Sequence, residues 1–201
     1  DASGITLFLV ESDHQDVEIT KTSMVDSRNA ANIKFNDVEV SSENILGEEN
    51  NGASVLEVVL DRAQIAISAE MLGNASQAFD LTLEYLKERK QFGAVIGTFQ
   101  ALQHRAAEMY SELELTKSSV IAACNAVDQN SNDLRRMASL AKFKSGETNH
   151  LITNEAIQMH GGVGVTDEYD VGLFMKRARV TEQIFGNSEY HIDRYATLSD
   201  Y

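Results

Sequence analysis

The chain has 201 residues, of which 43% are hydrophobic and 24% charged, an ordinary globular composition able to bury a core and to hold one full domain with a piece of another. A formal net charge of −14 and a pI near 4.7 argue against nucleic-acid or anionic-membrane binding, both of which need basic patches. No run approaches the roughly 18 consecutive apolar residues of a membrane span, and Asp1-Ala2-Ser3-Gly4 lacks the basic and apolar regions of an export leader, so neither a membrane nor an exported protein is expected.

In chain order, residues 5 to 10 alternate as a strand does, and so do Val17 to Thr20 and Ile33 to Val40. Asn36-Asp37 reads as a bulge that shifts the buried set from Ile33 and Phe35 to Val38 and Val40. So few strands cannot form a stable sheet domain alone. From about Gly52 the period turns helical. Val55, Val58, Val59, Ile65, Met71, Ala75, Ala78 and Leu81 mark one helix, or two in tandem, reaching Glu88. A second helix is expected from Phe99 to about Val127, then a polar connection in which Ser131 or Asn132 serves as N-cap. Leu134 to Met159 forms the third, and short helices follow near 170–180 and 188–198. The expected fold is mainly α: an antiparallel up-down helical bundle over 52–201, preceded over 1–46 by a few strands of an incomplete antiparallel β-domain. Proline is absent, which suits long unbroken helices. The single cysteine, Cys124, is expected to be a small buried hydrophobe, and nothing in the sequence resembles a metal site.

Two corners stand out. Glu88-Arg89-Lys90-Gln91-Phe92-Gly93, with Phe99-Gln100 after it, separates the first two long helices, and Gln158-Met159-His160-Gly161-Gly162-Val163-Gly164 ends the third. A planar guanidinium such as Arg89 suits a pyrophosphate, which it can hold with two parallel charge-assisted hydrogen bonds. Glycines at 161, 162 and 164 let a backbone approach a ligand closely. Taken singly, the glycines are most often a helix stop and Arg89 is equally a solvated last-turn cation.

The order and spacing of these motifs, from Gly4 to about Arg194, resemble the acyl-CoA dehydrogenase family. The resemblance implies the end of that family's β-domain joined to its C-terminal helical bundle. It further implies FAD as cofactor, an acyl-CoA substrate, and α-proton abstraction by a carboxylate with β-hydride passing to flavin N5. Electron-transferring flavoprotein would be the acceptor. The expected setting is the bacterial cytoplasm, or the mitochondrial matrix in a eukaryote. Arg89, Gln91 and Phe92 match contacts to the pyrophosphate and adenosine of a neighbouring subunit's FAD, Phe99 and Gln100 match adenine-side positions, and Gln158, Gly161 and Gly162 match the same cofactor half. Asn187 and Ser188 match a further cofactor pair, and Asp61 and Gln64 match substrate-side positions. A site shared in this way implies a homo-oligomer, dimer or tetramer, or a mixed oligomer. Lys87, Arg89 and Lys90 supply local positive charge in an acidic chain.

The chemistry departs from the family pattern. Where many members carry the base glutamate, this chain reads Phe185-Gly186-Asn187-Ser188, and the alternative base position is Ala63. Glu182 and Glu189 flank Gly186 as weak substitutes, Asp61 is a third, and His160 and His104 read as structural or adenine-side residues. Three readings follow from the resemblance: a dehydrogenase with its base elsewhere, a non-catalytic partner subunit in a mixed oligomer, or a flavin monooxygenase of the same fold.

Overall fold

The computed structural model describes residues 4–201 and divides into two compact units, one ending at Leu60 and the other spanning Asp61–Tyr201. The leader-region reading on Asp1, Ala2 and Ser3, and the first three residues of the expected β portion, lie outside the described residues.

In the first unit, β1 (Val17–Ser23) and β2 (Asn29–Phe35) form an antiparallel hairpin in the register Val17↔Phe35 to Ser23↔Asn29. The expected strand over 5–10 is reduced to a single bridge, Phe8↔Ile45, flanked by bonds from Leu9 N to Asn44 O (2.9 Å) and from Leu46 N to Leu7 O (2.8 Å). Gly52 closes this segment. Its N–H donates to Ile5 O at 2.8 Å, and a Cβ there would stand 2.8 Å from Leu7 Cγ. The expected bulge does not form, because β2 ends at Phe35 and Asp37 turns the chain at φ 50°. Ile19, Ile33 and Phe35 are 45, 55 and 59% exposed, so this pair of strands has no covering layer within its unit.

α1 (Gly52–Glu88) is one uninterrupted helix that carries the chain into the second unit. There β3 (Lys90–Gln91) and β4 (Ala94–Val95) make a miniature hairpin, followed by α2 (Gln100–Asp128), α3 (Leu134–His160), α4 (Val171–Gln183) and α5 (Ser188–Thr197). The main core joins Ala75, Phe79 and Leu86 of α1 to Met109 and Leu113 of α2 and to Ile152 and Ala156 of α3, with Val171 from α4. A second cluster joins Ile65, Val120, Ala123, Ala138 and Ala141. Buried polar residues pair across helices: Thr116 Oγ1 donates to Thr148 Oγ1 at 2.7 Å, and Asn74 Nδ2 donates to Asn149 Oδ1 at 2.8 Å and to Phe174 O at 3.1 Å. Among the described residues, no helix is long and apolar enough to cross a membrane.

Two local expectations are corrected. Cys124 is exposed, since α2 buries Thr116, Val120 and Ala123 and the next residue is turned about 100° away. Neither Ser131 nor Asn132 is the N-cap of α3. That place falls to Asp133, which makes no side-chain cap bond, while Ser131, two residues earlier, accepts from Asp133 N through Oγ at 3.1 Å.

Candidate functional site

The end of α1 turns sharply. Arg89 N still donates to Tyr85 O at 2.9 Å, and Ile96 N then donates to Arg89 O at 2.9 Å, closing the hairpin in which Lys90 pairs with Val95 and Gln91 with Ala94. Its two loop residues, Phe92 and Gly93, both lie at positive φ, 53° and 77°. A bulky residue resists that conformation, and Phe92 is 92% exposed besides, so local packing accounts for neither its identity nor its position. Gly97 lets the next turn lie on α1, since a Cβ there would come within 2.7 Å of Leu86 O.

The end of α3 is built from glycines with different reasons. Gly161 sits at φ 66°, and Gly164 is packed so that a Cβ would stand 2.8 Å from Ile157 O and 2.9 Å from His160 Cβ. Gly162 has neither reason: its backbone suits any residue and a Cβ would meet no atom within 4 Å. Nothing inside the chain requires glycine there.

One stacked pair joins the two corners. The Tyr85 ring of α1 lies 4.2 Å from the imidazole of His160, its hydroxyl donates to His160 O at 3.3 Å, and Tyr169 meets both rings edge-on. Burial lowers the His160 pKa against the raising effect of its Ala156 bond, which favours the neutral ring. Its Nδ1 donates to Ala156 O at 2.7 Å, which leaves Nε2 a buried acceptor without a partner.

Between the corners lies a cleft of about 340 Å³, lined among others by Arg89, Gln91, Phe92, Phe99, Gly161 and Gly162. Arg89 is exposed and, among the described residues, has no ion-pair partner. A free guanidinium, exposed aromatic rings and an open glycine backbone together suit a ligand that carries both a phosphate and a flat ring. Gln100 and Gln158 are exposed beside this cleft without lining it.

The remaining candidates lie elsewhere. Asn187 and Ser188 sit at the start of α5, where Asn187 Oδ1 caps the helix by accepting from Tyr190 N at 3.0 Å. That turn is held at the level of Lys142, about 27 Å along α3 from His160 at about 1.5 Å per residue. Arg89, Gln91, Phe92, Phe99, Gly161 and Gly162 thus line one cleft, while Asn187 and Ser188 stand apart from it, Ser188 against Gly146 near the middle of α3. Gly186 lies at φ 104°, and a Cβ there would overlap the Tyr190 ring and stand 3.0 Å from His191 Nε2. Glu182 and Glu189 border a separate cleft of about 470 Å³ with Ser188 and His150, and Glu182 Oε2 is 3.7 Å from His150 Nδ1. Ala63 is half-buried and His104 exposed.

Asp61 and Gln64, the expected substrate-side positions, lie in the interior of the second unit. Asp61 is 3% and Gln64 4% exposed. Arg194 donates to Asp61 Oδ1 at 2.6 Å, to Gln64 Oε1 at 3.2 Å and to Ser139 Oγ at 2.9 Å, with Arg135 3.8 Å from the second Asp61 oxygen. Both side chains are committed to this interior network. A further cleft, about 750 Å³, borders Ile19, Met24 and Arg28 at the β1–β2 hairpin and carries no candidate residue. No cluster of three metal-ligating side chains occurs among the described residues. Sequence reading missed Tyr85, Lys142 and His191, which carry no motif and matter through tertiary contacts alone.

Comparison with known proteins locates these features. The family model "Acyl-CoA dehydrogenase, C-terminal domain" matches residues 50–197. The chain is 33% identical over 196 residues to the mitochondrial short/branched chain specific acyl-CoA dehydrogenase of Bos taurus, covering 96% of this chain and 45% of that protein. It is 34% identical over 189 residues to subunit CarC of the caffeyl-CoA reductase-Etf complex of Acetobacterium woodii, covering 92% of this chain and 50% of that one. Among solved structures, butyryl-CoA dehydrogenase from Megasphaera elsdenii superposes with a TM-score of 0.92 at 28% identity, covering the whole of this chain and 53% of that one. The chain spans about half the length of the curated relatives it matches.

Proposed function

The chain belongs to the acyl-CoA dehydrogenase family, whose members are FAD-dependent flavoproteins, and from that premise we propose that its second unit holds the nucleotide end of FAD in an acyl-CoA-oxidising enzyme. The observation that carries this reading is the cleft itself: Arg89 and the Gly161–Gly162 backbone, distant in sequence, line one concavity. The residues present fit the group. Arg89 would pair with the pyrophosphate, Phe92 and Phe99 would offer faces to the adenosine, and the backbone at Gly162 is open in a way the chain's own packing does not need. When bound, FAD supplies the hydride acceptor for α,β-dehydrogenation of an acyl-CoA thioester. Residues 1–46 are read as the end of a β-domain and 52–201 as the helical bundle.

The reading extends to partners. The name of the CarC relative couples it to Etf, which supports an electron-transferring flavoprotein as acceptor. In this reading a second protomer, identical or homologous, completes the site and the chain works as an oligomer, in the bacterial cytoplasm or, in a eukaryote, the mitochondrial matrix. A specific observation favours the partner-subunit alternative for catalysis: the turn at Gly186 carries no carboxylate and Tyr190 stands where one would begin. In that reading the chain contributes cofactor binding while a homologous subunit supplies the base. The monooxygenase alternative draws no support from the site.

Titration calorimetry of the full chain with ADP tests the binding reading. Wild type should bind, and Arg89→Gln should weaken binding at least about tenfold, the equivalent of one charge-assisted hydrogen bond. Equal affinity in the two proteins, or no heat at millimolar ADP, would overturn it.

A further inference from the structure

One face of α3 holds the turn between α4 and α5 from beneath. Lys142 is 1% exposed, and its ammonium donates to Glu182 O at 2.9 Å and to Gly186 O at 2.7 Å. Three residues earlier, Ser139 Oγ lies 3.4 Å from Nδ1 of His191, a fully buried ring whose Nε2 donates to Phe185 O at 3.0 Å. Four residues later, Gly146 makes room for α5: a Cβ there would stand 2.8 Å from the Ser188 hydroxyl. Positions 139, 142 and 146 follow the three- and four-residue spacing of neighbours on one helix face. The segment they grip is in an unfavourable conformation, with Phe185 at φ 61° followed by Gly186 at φ 104°. Three of its carbonyls, at 182, 185 and 186, are thus satisfied by buried side chains.

We propose that Lys142 is a positioning residue whose charged ammonium fixes the α4–α5 turn, and with it the placement of Ser188 and Glu189 on the rim of the 470 Å³ cleft. Charge-assisted bonds to two carbonyls hold the turn more strongly than a neutral amine would. The groups that bear on Lys142 are Glu182 from α4 and His191 from α5 and, through His191, Arg194 from α5 and Asp61 from α1. Burial lowers the lysine to about 8, against the raising effect of Glu182, so its charge is lost within an accessible range. His191, lowered to about 4 chiefly by burial, stays neutral throughout. The inference stands apart from the cofactor reading, since no nucleotide enters its test.

The experiment follows the amide resonances of Phe185, Gly186 and Asn187 and the Lys142 Nζ resonance in the full chain from pH about 6 to about 10. In wild type, the turn amides and Nζ should titrate together with one midpoint near 8. Lys142→Arg keeps a permanent charge and should hold the turn amides flat over the same range. Lys142→Met should show the high-pH turn positions at every pH. If Lys142→Met does not fold, wild type and Lys142→Arg still decide the matter. A turn insensitive to pH in wild type, a midpoint that persists in Lys142→Arg, or an Nζ that titrates apart from the turn would overturn the proposal.

Discussion

Two glycines of one corner should respond in opposite ways to the same small substitution. Gly164→Ala forces a Cβ to within 2.8 Å of Ile157 O and 2.9 Å of His160 Cβ, and neither neighbour is the free end of a flexible side chain. Overpacking of this kind costs about 1–3 kcal/mol, and in a chain of this size each kcal/mol lowers Tm by about 2–4 °C. Gly162→Ala adds the same methyl into open space at an ordinary φ, so it should be neutral or stabilise by at most about 1 kcal/mol through the unfolded state. Binding should show the reverse order. Gly162 lines the cleft and a methyl there has no protein neighbour to meet, so on the cofactor reading it should hinder the ligand instead and ADP affinity should fall at least about tenfold, or about 1.4 kcal/mol. Thermal unfolding with and without ADP reads both effects in one assay. If Gly162→Ala lowered Tm as Gly164→Ala does, or left the ADP-induced rise unchanged, the assignment of Gly162 to a ligand rather than to packing would fail.

Other perturbations reach the second unit's interior. Asp61→Asn leaves the Arg194 guanidinium without its carboxylate in a buried network and should cost about 3 kcal/mol, seen as a lower urea midpoint at unchanged m; an unchanged midpoint would contradict the network's role. His191, lowered to about 4 chiefly by burial, binds its proton less readily folded than unfolded. Its contribution is therefore present above the ordinary histidine range and is lost as pH falls from about 6.5 toward 4, by up to about 3 kcal/mol. His191→Asn should flatten that acid limb of urea unfolding, and an equally steep limb in the variant would assign the loss to other groups. Gly186→Ala sets a Cβ against the Tyr190 ring at φ 104° and should destabilise by about 1–3 kcal/mol. Adding Tyr190→Ala should recover part of that loss in a double-mutant cycle, and strict additivity would mean that the ring is not the obstacle.

The long helices were legible because their apolar residues repeat at helical spacing and no proline interrupts them, and α1 resolves the choice between one helix and two in favour of one. The corner at Arg89 was legible as a break in that period with Gly93 inside it. The union of the two corners was legible only through the family resemblance, which set both on the same cofactor half; the contact that holds them, Tyr85 stacking on His160 across two helices, has no local signature. Cys124 shows a limit of periodicity: one residue of rotation separates the buried Ala123 from an exposed neighbour. Asp61 shows another, since its partner Arg194 is 133 residues away and no local pattern announces the pair. The β1–β2 hairpin was partly legible by alternation, whereas the end of β2 is set by pairing with β1 and not by the residues beyond it.

The central claim, that the cleft between the ends of α1 and α3 receives a nucleotide, is tested most directly by amide chemical-shift mapping of the full chain titrated with ADP. The account predicts that the perturbed amides fall in 89–99 and 158–163 and saturate together, with those of the β1–β2 hairpin unmoved. Perturbations confined to the hairpin cleft or to the α4–α5 cleft, with Arg89, Gly161 and Gly162 silent, would contradict it.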